Sequence, residues 1–460
     1  MESKLKELHS DLLNTTIHYK NYKLLFLSQV YIAESCFGVY KTLNLVNIIK
    51  KFSLDNVLKY FMLKASYPFS KRRQTSNQID YLFINEINNK AVTESLQLVT
   101  AKFVNENTAT VFSDMRIGRL STKNINVFEM LTFRILLIFI YDSVSFLFTL
   151  RRYRQEIRYI SKKYEISSFL LVLNFIDSIL LISTSHNFFS RISASKIILM
   201  SDVHKLSRII ALKAKTLNSF SYVIQHGATI GEEGYLPITG DKILVWGEAS
   251  KKWFIENQQH ADRIEIVGSA RMDLVKYAPK EVTNFDTREL KKVLVVLSDI
   301  LVESRYLEIV KEAFVELSIK DMEIIIKLHP GGSVDYSIIP EGIFDSSGLL
   351  YRILRFEDVK LLLAETDIVF VTNSTVGMEA IIFNKPIFQF KSDDLLNYRM
   401  SYEDFDCTHI FAKSQDICQV VLNPQTIFSK LGNYSSFVSH YFHKLDGNSS
   451  DRIKKFIISN

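Results

Sequence analysis

The 460-residue chain is predicted to be an α/β protein with two doubly wound domains facing a cleft, behind a helix-rich N-terminal region. Three observations predict this. Short apolar, β-prone runs alternate with helical stretches twice, once from Ile79 to Val267 and again from Lys292 to Phe390. Turn formers crowd the second half: only Gly38, Gly118 and Pro68 precede position 227. The loops after several runs hold histidine, glycine, serine and acidic residues, which doubly wound sheets gather at the carboxyl ends of their strands.

Residues 1 to about 75 carry apolar positions at mixed three- and four-residue spacing and read as helices. The basic Lys71-Arg72-Arg73 run and the polar stretch to Gln78 close this region at 78. Ile79–Ile84 (IDYLFI) reads as the first buried strand. Ile135–Leu150 is the most apolar window, bounded by Arg134 and Arg151 and broken by Asp142. It is shorter than the ~20 residues a spanning helix needs, so it reads as a buried helix. A membrane-facing helix is the alternative, favoured by Arg151, Arg152 and Arg154.

Further strands are expected at Phe169–Leu173 (FLLVL), Lys196–Met200 (KIILM), Tyr222–Gln225 (YVIQ), Lys242–Trp246 (KILVW) and Arg263–Val267 (RIEIV). They complete a Rossmann-like acceptor domain over 79–276 with a helical insertion. KVLVVL at 292–297, EIIIK at 323–327, DIVFV at 367–371 and PIFQF at 386–390 form a second Rossmann-like domain over 291–430. Helices are expected between these strands, at 303–317, 359–364 and 376–383. Further helices over 431–460 end the chain.

The apolar fraction of 47% and charged fraction of 23% suit a folded globular protein. The net charge of +6 comes without a basic stripe interleaved with aromatics, so no nucleic-acid partner is expected. It suits phosphorylated donors or a peripheral contact with the anionic inner membrane. Cys36, Cys407 and Cys418 are odd in number and widely spaced. They suggest neither a disulfide framework nor a metal site, and so a reducing compartment. The charged start MESKLKELHSDLLNTT does not read as a signal peptide, which adds to the expectation of a cytoplasmic protein, at the inner face of the membrane if it docks there.

Four loops carry the chemistry. Gln225-His226-Gly227 ends a strand and leads into Glu232-Glu233-Gly234-Tyr235. An imidazole or a carboxylate there can take a proton from an acceptor hydroxyl. His226 and Glu233 are both candidates for that base, with Gly227, Glu232 and Tyr235 on the acceptor side. Gly268-Ser269-Ala270-Arg271-Met272-Asp273 follows another strand; Arg271 is suited to a phosphate and Asp273 to capping the next helix. Lys327-Leu328-His329-Pro330-Gly331-Gly332 offers Lys327, His329 and the backbone at Gly331 to a phosphate, with His329 stabilising the leaving group. In Thr372-Asn373-Ser374-Thr375-Val376-Gly377-Met378-Glu379, Ser374 or Thr375 can hold a phosphate while Glu379, a turn further, accepts ribose hydroxyls. Asp404-Phe405-Asp406 spells a metal-binding pattern but falls in an acidic loop after the last strand of the second unit, and no metal site is assigned to it.

The order QHG, VGSARMD, KLHP, TNSTVGMEA, NKPIF resembles bacterial GT-B enzymes of capsule, lipopolysaccharide and teichoic-acid synthesis. It resembles in particular the CDP-glycerol glycerophosphotransferases and the bacterial sialyl- and polysialyltransferases. The resemblance covers about Lys196–Phe390 and the stretch LDGNSSDRI at Leu445–Ile453. It implies a metal-independent GT-B glycosyltransferase acting on a CMP-, CDP- or UDP-linked sugar, which serves as co-substrate with no further cofactor. The acceptor would be a glycan or lipid-linked glycan. In the sialyltransferase groups an acidic pair before glycine supplies the base, and His-Pro and Ser-Ser/Thr motifs bind the CMP phosphate. Here these are Glu232-Glu233-Gly234, His329-Pro330 and Ser374-Thr375. In the glycerophosphotransferases the functional histidines correspond to His226 and His329. A nucleotide-sugar 2-epimerase of the same architecture and a glycerophosphotransferase are the alternative activities.

Overall fold

The computed structural model describes residues 2–29, 31–32, 77–87, 90–112, 123–126, 133–229, 232–275, 290–297, 303–319, 322–328, 344, 347–372, 374–391 and 402–460. The chain divides into two compact units. One is Met1–Leu274 with Gly447–Asn460, the other Val275–Asp446.

The first unit opens with α1 (Glu2–Asn14), a hairpin of β1 (His18–Tyr19) and β2 (Tyr22–Lys23), and the short α2 (Leu24–Leu27). The hairpin interrupts the helical reading of this region where Lys20 turns the chain at a φ of 53°. Residues 33–76, also read as helical, lie outside the described residues. Then come β3 (Asn77–Asn85), α3 (Lys90–Lys102), β4 (Thr108–Phe112), β5 (Lys123–Asn126), α4 (Phe133–Lys163) and α5 (Ser168–Phe189). β6 (Ile192–Leu199), α6 (Lys205–Thr216), β7 (Phe220–Ile224), β8 (Lys242–Val245), α7 (Glu248–Glu256) and β9 (Ile264–Ile266) follow.

Among the described residues the strands from β3 to β9 form one parallel sheet in the order β5-β4-β3-β6-β7-β8-β9. Its order reverses between β3 and β6. Alternate residues feed two cores, as a sheet buried on both faces requires. Ile197 and Leu199 of β6 join the core formed with α5 and α6, whereas Ile198 and Met200 join the core formed with α3.

The stretch FLLVL is not a strand. It lies in α5, whose Ser167 side chain caps the helix by accepting from Leu170 N–H at 3.5 Å. A continuous apolar run suits a buried helix as well as a strand. Here 22 residues, apolar on nearly every side, run through the core of the unit. Among the described residues α5 is the one helix long and apolar enough to cross a membrane, and 67% of its apolar window is buried in the unit.

The second unit contains β10 (Lys292–Val296), α8 (Glu303–Leu317), β11 (Glu323–Lys327), β12 (Leu350–Leu354), α9 (Val359–Glu365), β13 (Ile368–Val371) and α10 (Val376–Ile382). β14 (Ile387–Phe390), β15 (His409–Phe411), α11 (Ser414–Val421), α12 (Pro424–Phe428) and α13 (Tyr434–Phe442) complete it. Its parallel sheet has the order β12-β11-β10-β13-β14-β15 and reverses between β10 and β13. β12 was not legible as a strand because it is a half-exposed edge. Its Arg352 pairs with Glu323 at 2.9 Å and Glu365 at 2.7 Å, and charged residues are common on edge strands.

The last helix, α14 (Ser449–Ser459), returns to the first unit and covers the α3 side of its sheet through Ile453 and Ile457. The helix that Asp273 was expected to cap would fall in 276–289, which lie outside the described residues. The Asp273 carboxylate accepts Ser449 N–H at 2.8 Å and Ser450 N–H at 2.7 Å, the first turn of α14. Arg452 donates to the Val267 carbonyl at 2.8 Å. Gly268 has a φ of +86°, and a Cβ there would stand 2.6 Å from the Ser449 hydroxyl. The GSARMD and LDGNSSDRI stretches are thus two halves of one joint.

Candidate functional site

In the first unit the loops after β6 and β7 emerge side by side at the carboxyl edge of the sheet. Gln225 is buried. Its side-chain carbonyl accepts Trp246 N–H at 2.8 Å, and its backbone carbonyl accepts the Trp246 indole N–H at 3.0 Å. Its amide donates to the Gly227 carbonyl at 2.7 Å. The Tyr235 hydroxyl completes the grip, donating to Gly227 O at 2.6 Å and accepting Gly227 N–H at 2.9 Å. Between these supports His226 stacks on Tyr235. Burial, and then the nearby His204, hold the His226 pKa down at about 4. The ring is therefore neutral at physiological pH.

Tyr235 was expected to face an acceptor. It is instead buried, its ring set edge-on to Trp253 and Phe254, and burial pushes its hydroxyl well above the usual range. It positions the QHG loop. Glu232, Glu233 and Gly234 form a single 3-10 turn whose first carbonyl accepts Tyr235 and Leu236 N–H. The Glu233 side chain, and Ile230 and Gly231, lie outside the described residues.

A buried network not foreseen from sequence stands behind this edge. Arg208 is fully buried, donating to the Asp202 carbonyl at 2.9 Å, to Phe26 O at 2.9 Å and to the Gln29 side chain at 2.8 Å. The Asp202 carboxylate accepts Thr239 N–H, and Gly240 N–H at 3.1 Å. Burial lowers the Arg208 pKa to about 10, against the pull of Asp202 and Glu86, and raises that of Asp202. Gln29 also donates to Leu236 O at 2.6 Å. The N-terminal segment is in this way tied to the loop that carries Tyr235. The sequence signal was Asp202-Val203-His204 directly after a strand.

In the second unit the loops after β11 and β13 leave the same edge of the sheet, one strand apart, or about 10 Å at ordinary strand spacing. The β13 loop lies at the strand reversal, where doubly wound sheets bind ligands. Ser374 Oγ accepts Val376 N–H at 3.2 Å, which caps α10 and leaves the hydroxyl proton to donate. The Ser374 carbonyl accepts the Tyr402 hydroxyl at 2.9 Å. Thr375 occupies the N-cap position without a side-chain cap bond. Glu379 sits within the first turn of α10 and is buried; burial above all raises the Tyr402 hydroxyl pKa, with the charges of Tyr441 and Glu379 adding to it.

Lys327 ends β11 as expected, but its ammonium is turned inward. It donates to Leu328 O at 2.8 Å and Arg355 O at 2.6 Å, tying the ends of β11 and β12. Burial lowers its pKa, with Glu357 opposing and Arg355 adding to the shift. Two of its three protons are thereby engaged. His329, Pro330, Gly331, Gly332 and Asn373 lie outside the described residues. Arg271 belongs to the first unit, on a 3-10 turn after β9, whereas Lys327, Ser374, Thr375 and Glu379 belong to the second. Asp406 of the acidic loop bonds Lys430 and Asn433.

Each of the two units is a doubly wound parallel sheet with polar loops at its carboxyl edge, the α/β architecture that proteins of the GT-B class share. Residues 297–391 match the family model described as "Capsule polysaccharide biosynthesis protein". That segment starts at the end of β10 and stops just after β14, so it contains both polar loops of the second unit. A stretch of 146 residues, 30% of the chain, is 27% identical to the teichoic acid poly(ribitol-phosphate) polymerase of Bacillus spizizenii. The match spans 22% of that relative's length. The chain thus resembles bacterial enzymes of surface-polysaccharide synthesis. Among solved structures it is similar to the Anabaena protein HepE in complex with UDP and glucose, at 12% identity and a TM-score of 0.47, covering 83% of this chain and 100% of that one. It is also similar to UDP-GlcNAc 2-epimerase from Neisseria meningitidis bound to UDP-GlcNAc, at 14% identity and a TM-score of 0.48, covering 84% and 100%.

Proposed function

We propose that this chain is a glycosyltransferase of bacterial surface-polysaccharide synthesis, moving a sugar from a nucleotide-sugar to a glycan or lipid-linked acceptor. One observation carries the reading. Ser374 and Glu379 lie about a turn apart at the strand reversal of the second sheet, inside the segment that matches the capsule-synthesis family. A hydroxyl donor followed at that spacing by a carboxylate suits the phosphate and ribose of one nucleotide. His329, two residues after the end of β11 in sequence, would donate to the leaving phosphate as charge develops on it. On the first unit the acceptor hydroxyl would lose its proton to neutral His226 or to Glu233. Lys327 is the tie between the ends of β11 and β12.

The test is a thermal-shift panel with CMP, CDP, UDP and GDP on the wild type, His329→Ala and Glu379→Ala. A nucleotide at about 100 times its Kd stabilises the folded state by about 2.7 kcal/mol. One nucleotide should raise the melting temperature of the wild type and raise it less in both variants. No shift with any of the four refutes the reading.

A second reading, alditol-phosphate transfer, is favoured by the stretch shared with the poly(ribitol-phosphate) polymerase. The donor that turns over, together with the nucleotide it releases, separates them, because a CMP-linked sugar also frees CMP. Glycosyl transfer from a UDP-sugar frees UDP, whereas transfer from CDP-ribitol or CDP-glycerol breaks the diphosphate and frees CMP. An epimeric sugar formed without any acceptor would instead mark the 2-epimerase alternative.

A further inference from the structure

The helix α4 carries two opposite stripes. Phe139, Phe146, Ile157 and Ile160 are buried in the core of the first unit. On the other side Leu137, Tyr141, Val144 and Phe148 follow each other at three- and four-residue steps and are exposed, Tyr141 by 74% and Phe148 by 79%. The same stripe continues through Arg151, Arg158 and Lys162, all exposed, with Arg152 and Arg154 beside it. One solvent face is thus apolar for about 16 Å and then basic for about as long, at 1.5 Å per residue.

The acids of this helix do not answer those charges. Asp142 and Glu156 are its only carboxylates. Asp142 accepts the Tyr19 hydroxyl and pairs with Lys20 at 3.5 Å, and Glu156 accepts the Thr15 hydroxyl at 2.5 Å and Thr16 N–H at 3.1 Å. Both are committed to the N-terminal segment. Among the described residues no carboxylate pairs with the arginines of the exposed face.

We propose that this face of α4 docks on an anionic bilayer surface, with Leu137, Tyr141, Val144 and Phe148 entering the headgroup–acyl boundary and the arginines engaging lipid phosphates. Charge complementarity selects this occupant. An apolar stripe beside a run of arginines suits an interface that is apolar within and anionic at its rim. A second copy would bring an identical face, with no carboxylate to meet the arginines. The proposal concerns a surface apart from the loops at the sheet edges, so it stands or falls independently of the nucleotide reading.

The experiment is flotation of the full chain with vesicles of phosphatidylglycerol and, separately, of phosphatidylcholine, at low and high salt. The wild type should float with phosphatidylglycerol at low salt and largely remain behind with phosphatidylcholine. Removing each arginine should weaken binding about fivefold, so Arg151→Glu with Arg152→Glu should weaken it by about 25-fold or more. Tyr141→Ser with Phe148→Ser should abolish the binding that survives high salt. All four side chains are exposed, and the melting temperatures of the variants should match the wild type. Absence of the wild type from floated phosphatidylglycerol vesicles, or undiminished flotation of both variants, overturns the proposal. So does sedimentation showing a dimer that Tyr141→Ser with Phe148→Ser dissociates, when no vesicle binding is seen.

Discussion

The imidazole of His226 lies on the ring of Tyr235, with centroids 4.9 Å apart and planes inclined by 22°. Tyr235 also holds the neighbouring glycine through both its N–H and its carbonyl. The orientation of His226 is therefore set by a residue nine positions further along the chain.

Tyr235→Phe keeps the stack and removes both bonds to Gly227. A buried amide left without its partner costs about 1–3 kcal/mol. Urea unfolding should show a loss in that range. The proposed transfer activity should fall more in kcat than in KM, because Tyr235 touches His226 and is itself buried.

His226 should make stability depend on pH. Its ring titrates at about 4 in the folded chain against 6.5 for an unperturbed histidine. Between these values the unfolded chain holds the extra proton, so stability rises with pH across the window. The contribution is complete above about pH 6.5 and is lost progressively as the pH falls toward 4, by at most about 3 kcal/mol. Urea midpoints from pH 4 to 7.5 should show a shallower slope for His226→Gln than for the wild type. Equal slopes would place the titration elsewhere.

Gly377 is where the Tyr402 ring rests. A Cβ at Gly377 would stand 2.7 Å from the ring, too close to remain without movement. Gly377→Ala should therefore cost about 1–3 kcal/mol through overpacking. Because Tyr402 holds the Ser374 carbonyl, the variant should also bind nucleotide less tightly in the thermal-shift panel. Tyr402→Phe, which removes that bond without a clash, should lose nucleotide affinity with a smaller loss of stability.

Asp273→Ala should loosen the end of the chain. It removes the acceptor of two N–H groups in the first turn of α14, worth about 1–2 kcal/mol. Hydrogen exchange should rise across 449–459 while β10 and β11 keep their protection. Unchanged exchange in α14 would show that apolar packing through Ile453 and Ile457 suffices to hold it.

Arg208→Ala leaves Asp202 buried without its cation and should cost about 3–5 kcal/mol. Circular dichroism melting would show it. The effect should reach the N-terminal segment, since Phe26 and Gln29 lose a donor as well.

Much of the architecture was legible because parallel strands buried on both faces read as short apolar runs. IDYLFI, KIILM, KVLVVL and EIIIK all lie in or across observed strands. FLLVL misled for the same reason, since an apolar run has no period that separates a strand from a buried helix. β12 was missed because an edge strand carries its charges outward.

The residue order along the chain was enough to establish two doubly wound α/β units and to mark the loops after β7, β11 and β13 as the places of interest, because strand ends and turn formers leave a local signature. What only the tertiary structure decided is what each side chain there touches. It turned Tyr235 and Lys327 inward as supports, put the Arg208 network behind the β6 loop, and sent Asp273 to a helix 176 positions away. Hydrogen bonds and burial are made between segments far apart in sequence, and no local pattern encodes which of two polar groups will face solvent and which will meet a distant partner.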